Sequence, residues 1–138
     1  MRVFLDTNVL ASATATRGLC ADVFRSTTEF HQLVISEELL VELERTLRTK
    51  FRAPPDLIEN TLWLLRQDAL LASAEPTTSL PLKDKGDVAI VSAAINAAAD
   101  ILVTGDKELT AITNVGNLRI VSPRQFWDLQ RGQAGRGE

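Results

Sequence analysis

The sequence predicts a single α/β domain of three layers, with helices on both faces of a mostly parallel sheet of four to five strands. Three observations carry this expectation. The chain has 138 residues and is 45% apolar, so about 62 apolar side chains suit one hydrophobic core at a usual single-domain length. Short apolar, β-branched runs alternate with longer stretches of helical period along nearly the whole chain, the pattern of parallel strands joined through helices. Two of those runs end in a carboxylate-bearing segment, and open α/β sheets bind ligands at the carboxyl ends of their strands.

In chain order, Arg2 to Leu5 reads as the first buried strand, followed by a helix from Gly18 to Thr27. Leu33 to Ile35 is the second strand. Ser36 can cap the helix Glu37 to Lys50, with Glu37 and Glu38 favourably placed in its first turn. Pro54-Pro55 then forces a break, and Asp56 to Gln67 forms the other arm of a helical hairpin. Leu70 to Ala74 is a weaker strand before a loop from Pro76 to Pro81. Asp87 to Ala98 is apolar nearly all round, which predicts a helix buried between the sheet and another helix. Ile101 to Val103 and Leu118 to Val121 complete the strands, and Pro123 to Gln130 closes the chain with a turn or helix. Residues 1–130 thus form the expected domain, and 131–138, with three Gly and no apolar run, a flexible tail.

Composition excludes several chemistries. A lone Cys20 cannot make an internal disulfide or a cysteine zinc site, and a lone His31 cannot supply paired imidazoles. Phosphate-binding glycine loops, a dinucleotide fingerprint and a nucleophile elbow are all missing. No apolar stretch approaches the roughly 20 residues of a membrane span, and no secretory leader is visible, so the expected location is the cytoplasm without a membrane partner. Carboxylates are plentiful: eighteen Asp and Glu against fifteen Lys and Arg give a formal net charge of -3. A nucleic-acid partner would therefore need a local basic patch or bridging metal ions. The few aromatics, among them Phe24, Phe30, Phe51, Trp63, Phe126 and Trp127, are expected in the core or an interface rather than as base-stacking platforms.

Asp6-Thr7-Asn8 follows the first strand and Thr104-Gly105-Asp106 follows the strand at Ile101 to Val103, so both deliver an Asp to the same rim. Asp87 opens the apolar helix, and a fourth carboxylate can come from the helix after Ser36. Any one of Asp6, Asp87 and Asp106 could simply cap a helix, a task that Ser, Thr or Asn would serve equally well. Four converging carboxylates would raise one another's pKa, and divalent cations are the natural remedy. Leu39, Leu40, Leu43 and Leu47 define the buried stripe of the helix after Ser36, and periodicity does not choose among Glu38, Glu42 and Glu44.

Asp6-Thr7-Asn8-Val9-Leu10, Ser36 to Leu43, Lys83-Asp84-Lys85-Gly86-Asp87 and Val103-Thr104-Gly105-Asp106-Lys107 together, and in this order, resemble the PIN-domain family. With the Ile120 to Phe126 ending, the chain is similar to the branch of toxin components of prokaryotic type II toxin-antitoxin pairs. This resemblance implies a PIN-like fold and a divalent-metal-dependent ribonuclease acting on single-stranded RNA, with one or two Mg²⁺ or Mn²⁺ ions and a cognate antitoxin protein. It assigns the catalytic and metal-binding acids to Asp6, Glu42, Asp87 and Asp106, and accessory polar roles to Thr7, Asn8 and Thr104. Asp84 competes for the third acid, because many relatives carry consecutive acids where Gly86 precedes Asp87 here.

The best local candidates for RNA docking are Arg45, Arg48, Lys50 and Arg52, with Lys83 and Lys85 near the proposed site; a solvated helix end explains the first group as well. Two alternatives stand beside the nuclease: a catalytically weak or inactive PIN-like interaction module, and a Mg²⁺-dependent phosphatase, which would want a second acid beside the first strand. The apolar surface around Leu62, Trp63, Leu64 and Leu65 makes a homodimer a further expectation.

Overall fold

A computed structural model of the protein describes residues 1–76, 80 and 82–136. Arg2–Leu5 forms β1, Gln32–Ser36 β2, Leu70–Ala72 β3, Ile101–Val103 β4, Asn114–Val115 β5 and Leu118–Val121 β6. They hydrogen-bond in the order β3-β2-β1-β4-β6-β5, all neighbours parallel except β5 and β6. The helices are α1 (Thr7–Ala15), α2 (Leu19–Phe30), α3 (Glu37–Thr49), α4 (Pro55–Asp68), α5 (Lys85–Asn96), α6 (Lys107–Ile112) and α7 (Pro123–Arg136).

Val3, Phe4 and Leu5 of β1 are wholly buried, as are Leu102 and Val103 of β4. Strands covered on both faces read as continuous apolar runs, which is why these two stand out in the sequence. From β1 the chain steps outward to β2 and β3, then returns to the other side of β1 for β4 and β6. Strand order therefore reverses between β1 and β4, which pair in the register Val3 with Ile101, Phe4 with Leu102 and Leu5 with Val103. Right-handed crossovers place α1 to α4 on one face and α5 and α6 on the other. On the first face α1 packs against α2 and α3, α3 against α4, and α7 returns to α2.

Several expectations need correction. Among the described residues the sheet has six strands rather than four to five, because a short hairpin adds β5 at one edge. Its two-residue turn, Gly116-Asn117, has Gly116 at φ +58, the left-handed conformation such hairpins need. Helices α1 and α6 were not expected. The apolar helix starts at Lys85, not Asp87, because the Asp84 side chain accepts hydrogen bonds from the Gly86 and Asp87 amides and so caps it. That helix lies on β2, β3 and β4, and small residues such as Ala93 and Ala94 let it press directly on the sheet. Helix α7 runs on to Arg136, past the Gln130 where periodicity ends; Gly132 weakens a helix by about 1 kcal/mol relative to Ala without forbidding it. The loop expected over 76–81 lies mostly outside the described residues, as do 137 and 138 of the tail. Of the aromatics expected in a core or interface, Phe126 is fully buried, whereas Phe30 and Trp63 are 72% and 61% exposed and lie outside the core. No described helix is long and apolar enough to cross a membrane.

Leu39, Leu40, Leu43 and Leu47 are all buried, and this stripe fixes the rotation of α3 about its axis. Ser36, itself buried, accepts the Leu39 amide at 3.1 Å. Ser36→Ala is expected to lower stability by about 1 kcal/mol, the usual worth of such a cap, as read by urea unfolding with an unchanged slope.

Candidate functional site

The end of β1 and the end of β4 meet at the strand-order reversal. The Asp6 amide donates to Val103 O at 3.0 Å and the Thr104 amide to Val121 O at 2.9 Å, so each strand ladder carries one residue past its end. Asp6 is 7% exposed and Thr104 fully buried. Thr104 Oγ1 donates to Asp6 Oδ2 at 2.7 Å and accepts the Asp106 amide at 3.1 Å, so one hydroxyl ties the two acidic segments together. The other Asp6 oxygen accepts the Thr7 amide at 2.6 Å.

A cleft of about 370 Å³ opens over these strand ends, lined from β1 and α1 by Asp6, Thr7 and Asn8, and from α3 by Glu38, Glu42 and Thr46. Asp84 and Asp87 at the start of α5, and Asp106 before α6, complete its acidic wall. All four acids assigned from the resemblance thus share one cleft, with six carboxylates and no Lys or Arg among the described residues that line it.

Among the three acids that periodicity left open on α3, Glu38 and Glu42 line the cleft, while Glu44 turns away to pair with Arg48 at 3.3 Å. The signal was present in the sequence: positions 38, 42 and 46 recur every four residues, one stripe beside the leucines. Asp84 also lines the cleft, but its Oδ1 is engaged with the first-turn amides of α5, whereas Asp87 projects from that turn. Asp106 caps α6 by accepting the Glu108 amide at 2.9 Å. Capping and membership of the acidic cluster are therefore combined in Asp106 rather than exclusive.

The carboxylates feel one another. Burial raises the pKa of Asp6, opposed by its hydrogen bonds from Thr104 and Thr7 and reinforced by the charges of Asp106 and Glu42. Asp87 is pushed up to about 6, first by burial, then by Asp106, Asp84, Asp6 and Glu108. Glu108, in the first turn of α6, is a member of this electrostatic cluster that sequence reasoning missed.

Among the described residues, no three of these acids close around a common point as a ready-made ion cage. The donor chemistry nonetheless fits a hard, hydrated cation. Mg²⁺ keeps several waters and usually takes only one or two protein carboxylates together with substrate phosphates. Thr7 Oγ1 is buried without a hydrogen-bond partner and belongs to the cleft lining, an unmet polar group where such a water could sit. Glu42, half exposed at the rim, and half-buried Asp87 have room to reorient.

The basic candidates are placed less uniformly. Arg45 pairs with Glu42 at 2.7 Å on the rim, Arg48 pairs with Glu44, and Lys50 sits over the Phe51 ring at 5.7 Å. Arg52, Lys83 and Lys85 are exposed and do not line the cleft.

A PIN-domain family profile matches residues 2–108, which include all four acids. The chain belongs to the PIN-domain family. Among solved structures, this PIN domain is similar to a chain of VapBC2 from Rickettsia felis, solved bound to a DNA fragment from its promoter. The two share 20% identity with a TM-score of 0.63, over 88% of this chain and 98% of that one, a likeness of fold. No curated protein matches the chain in sequence.

Proposed function

We propose that this PIN domain is a divalent-metal-dependent ribonuclease that cleaves single-stranded RNA, acting as the toxin of a toxin-antitoxin pair. The observation that carries this reading is the joining of Asp6 and Asp106 through one buried hydroxyl, with Glu42 and Asp87 facing the same cleft. Membership of the PIN family supports a nuclease, and the sequence resemblance to toxin components supports the biological role.

In this reading Asp6, Glu42, Asp87 and Asp106 hold one or two Mg²⁺ or Mn²⁺ ions. Such ions, when bound, acidify water and neutralise charge developing on a phosphodiester. The chain's own contribution is placement. Thr104 holds the Asp6 carboxylate and the Asp106 backbone in fixed relation, and the Thr7 amide fixes the other Asp6 oxygen. In the metal-free cleft, burial and the neighbouring carboxylates push the Asp87 pKa up to about 6, a cost that a bound cation would relieve. Asn8 and Thr46 offer neutral hydrogen-bonding groups along the cleft, suited to sugar and phosphate oxygens.

We assign antitoxin docking to the apolar groove between α2 and α4, where Leu57 and Leu64 are exposed beside Phe24 and Leu65. The inactive interaction module is the competing reading. Incubating the purified protein with a labelled single-stranded RNA, with Mn²⁺ or with excess chelator, distinguishes the two. Cleavage is expected only with Mn²⁺, and much less on the same sequence in a duplex. An RNA left intact across Mg²⁺ and Mn²⁺ would overturn the nuclease.

A further inference from the structure

An acidic cleft must still take hold of an anionic chain, and its lining contains no cation. One guanidinium nevertheless reaches its wall, since Arg45 Nη2 lies 2.7 Å from Glu42 Oε2. At 100° per residue, Arg45 stands about 60° around α3 from Glu42, on the side of Glu38, whereas Arg48 stands about 120° from it. The hydrogen bonds agree with this rotation, because Arg48 turns to Glu44 while Arg45, alone among the described residues, pairs with an acid of the cleft.

We propose that Arg45 positions the substrate backbone by exchanging partners: it neutralises Glu42 in the metal-free protein and moves to a phosphate of single-stranded nucleic acid when Glu42 turns to a divalent ion. This inference rests on the nuclease reading above and names the residue that couples its two ligands.

The exchange is inexpensive. Arg45 and Glu42 are 63% and 50% exposed, and exposed ion pairs three residues apart on a helix are weak. Glu42 engages a single terminal nitrogen, so much of the guanidinium fork stays available, and that fork matches phosphate in a two-pronged geometry. The remaining members of the basic group lack this relation to the cleft: Lys50 rests on Phe51, and Arg52 lies beyond the end of α3. The partner exchange makes the two ligands reciprocal. An ion on Glu42 releases Arg45 for a phosphate, and a phosphate on Arg45 releases Glu42 for an ion, so each tightens the other.

The test uses the full chain and reads binding rather than cleavage. Mn²⁺ uptake is followed by its paramagnetic resonance, and the fluorescence anisotropy of a short labelled oligothymidylate reports backbone binding over a salt series. In Mn²⁺, Arg45→Gln is expected to weaken oligothymidylate binding by about five- to tenfold and to reduce its salt slope by about 0.7, one single-strand phosphate contact. Without oligonucleotide the same variant is expected to bind Mn²⁺ about two- to threefold more tightly, since no cation competes for Glu42. Arg25→Gln removes the same charge from an exposed pair with Asp22 on α2 and should match the wild type in both assays. If Arg45→Gln behaves like Arg25→Gln, the assignment of Arg45 is wrong while the nuclease reading stands. A wild-type protein that takes up neither Mn²⁺ nor oligothymidylate overturns both.

Discussion

Asp6→Asn should abolish metal-dependent RNA cleavage, by at least about a thousandfold, while the protein stays folded. The substitution keeps side-chain volume at a site that is 7% exposed, so packing beneath the cleft is preserved. Its electrostatic effects oppose one another. Removing a buried, like-charge-crowded carboxylate relieves the strain that raises its pKa. An amide, however, cannot accept from both the Thr7 amide and the Thr104 hydroxyl as the carboxylate does. The metal-free variant is therefore expected within about 1 kcal/mol of the wild type, because a lost neutral hydrogen bond and a relieved charge are of similar size. The thermal stabilisation conferred by Mn²⁺ should shrink, since the proposed ion site loses one of its four carboxylates. Asp6→Ala separates the roles further: it orphans the Thr104 hydroxyl and the Thr7 amide together and should cost about 2 kcal/mol or more. Melting curves with and without Mn²⁺, run beside the cleavage assay, check all three statements. An Asp6→Asn protein that still cleaves in a metal-dependent way would remove Asp6 from the site.

What the sequence reveals and conceals follows from how each element is stabilised. β1, β4 and β6 are legible because strands with little exposed surface must be apolar at consecutive positions, as Val3-Phe4-Leu5 is. α1 escapes notice because Thr7 to Ala15 is built of small, weakly contrasting residues such as Ala11, Ser12, Ala13 and Thr14, which give no clear polar and apolar faces. α6, at six residues, spans too few turns for a periodicity to register. The hairpin to β5 was announced only by Gly116-Asn117 between apolar neighbours. At the site, the ends of β1 and β4 gave Asp6 and Asp106 directly, since a carboxylate after a buried strand has one place to go. Asp84 and Asp87 could not be told apart by residue type, because a helix start favours acids at the cap and three residues later. Glu42 needed the rotation of α3 about its axis, which is set by four leucines packing beneath it and not by any feature of Glu42 itself.

Lowering the pH through 6 should weaken Mn²⁺ binding steeply while making the metal-free protein more stable. Asp87 carries both effects. Its pKa is about 6 in the folded protein against an ordinary value of 3.8, so between those values the native state holds a proton that the unfolded chain has released. Stability falls with rising pH wherever the native state binds more protons, so Asp87 should make the metal-free protein lose stability from about pH 4 to about pH 6 and level off above, opposed at the acid end by Glu37, whose carboxyl Arg66 holds below its ordinary value. Asp6, also raised, adds in the same direction. An ion takes carboxylates in their charged form, so its affinity runs the opposite way. Apparent Mn²⁺ affinity is expected to fall about tenfold per pH unit below 6 and to flatten above it, because one proton must leave for the ion to bind. Asp87→Asn removes the group that titrates: the metal-free variant should gain stability at pH 7.5 relative to the wild type, lose most of the stability step near pH 6, and cleave no RNA. Unfolding midpoints and Mn²⁺ titrations at pH 5, 6 and 7.5 check these outcomes. An affinity step near pH 6 that persists unchanged in Asp87→Asn would assign it to a different group of the cleft, with Asp6 the next to test because Asp106 and Glu42 press on it as well.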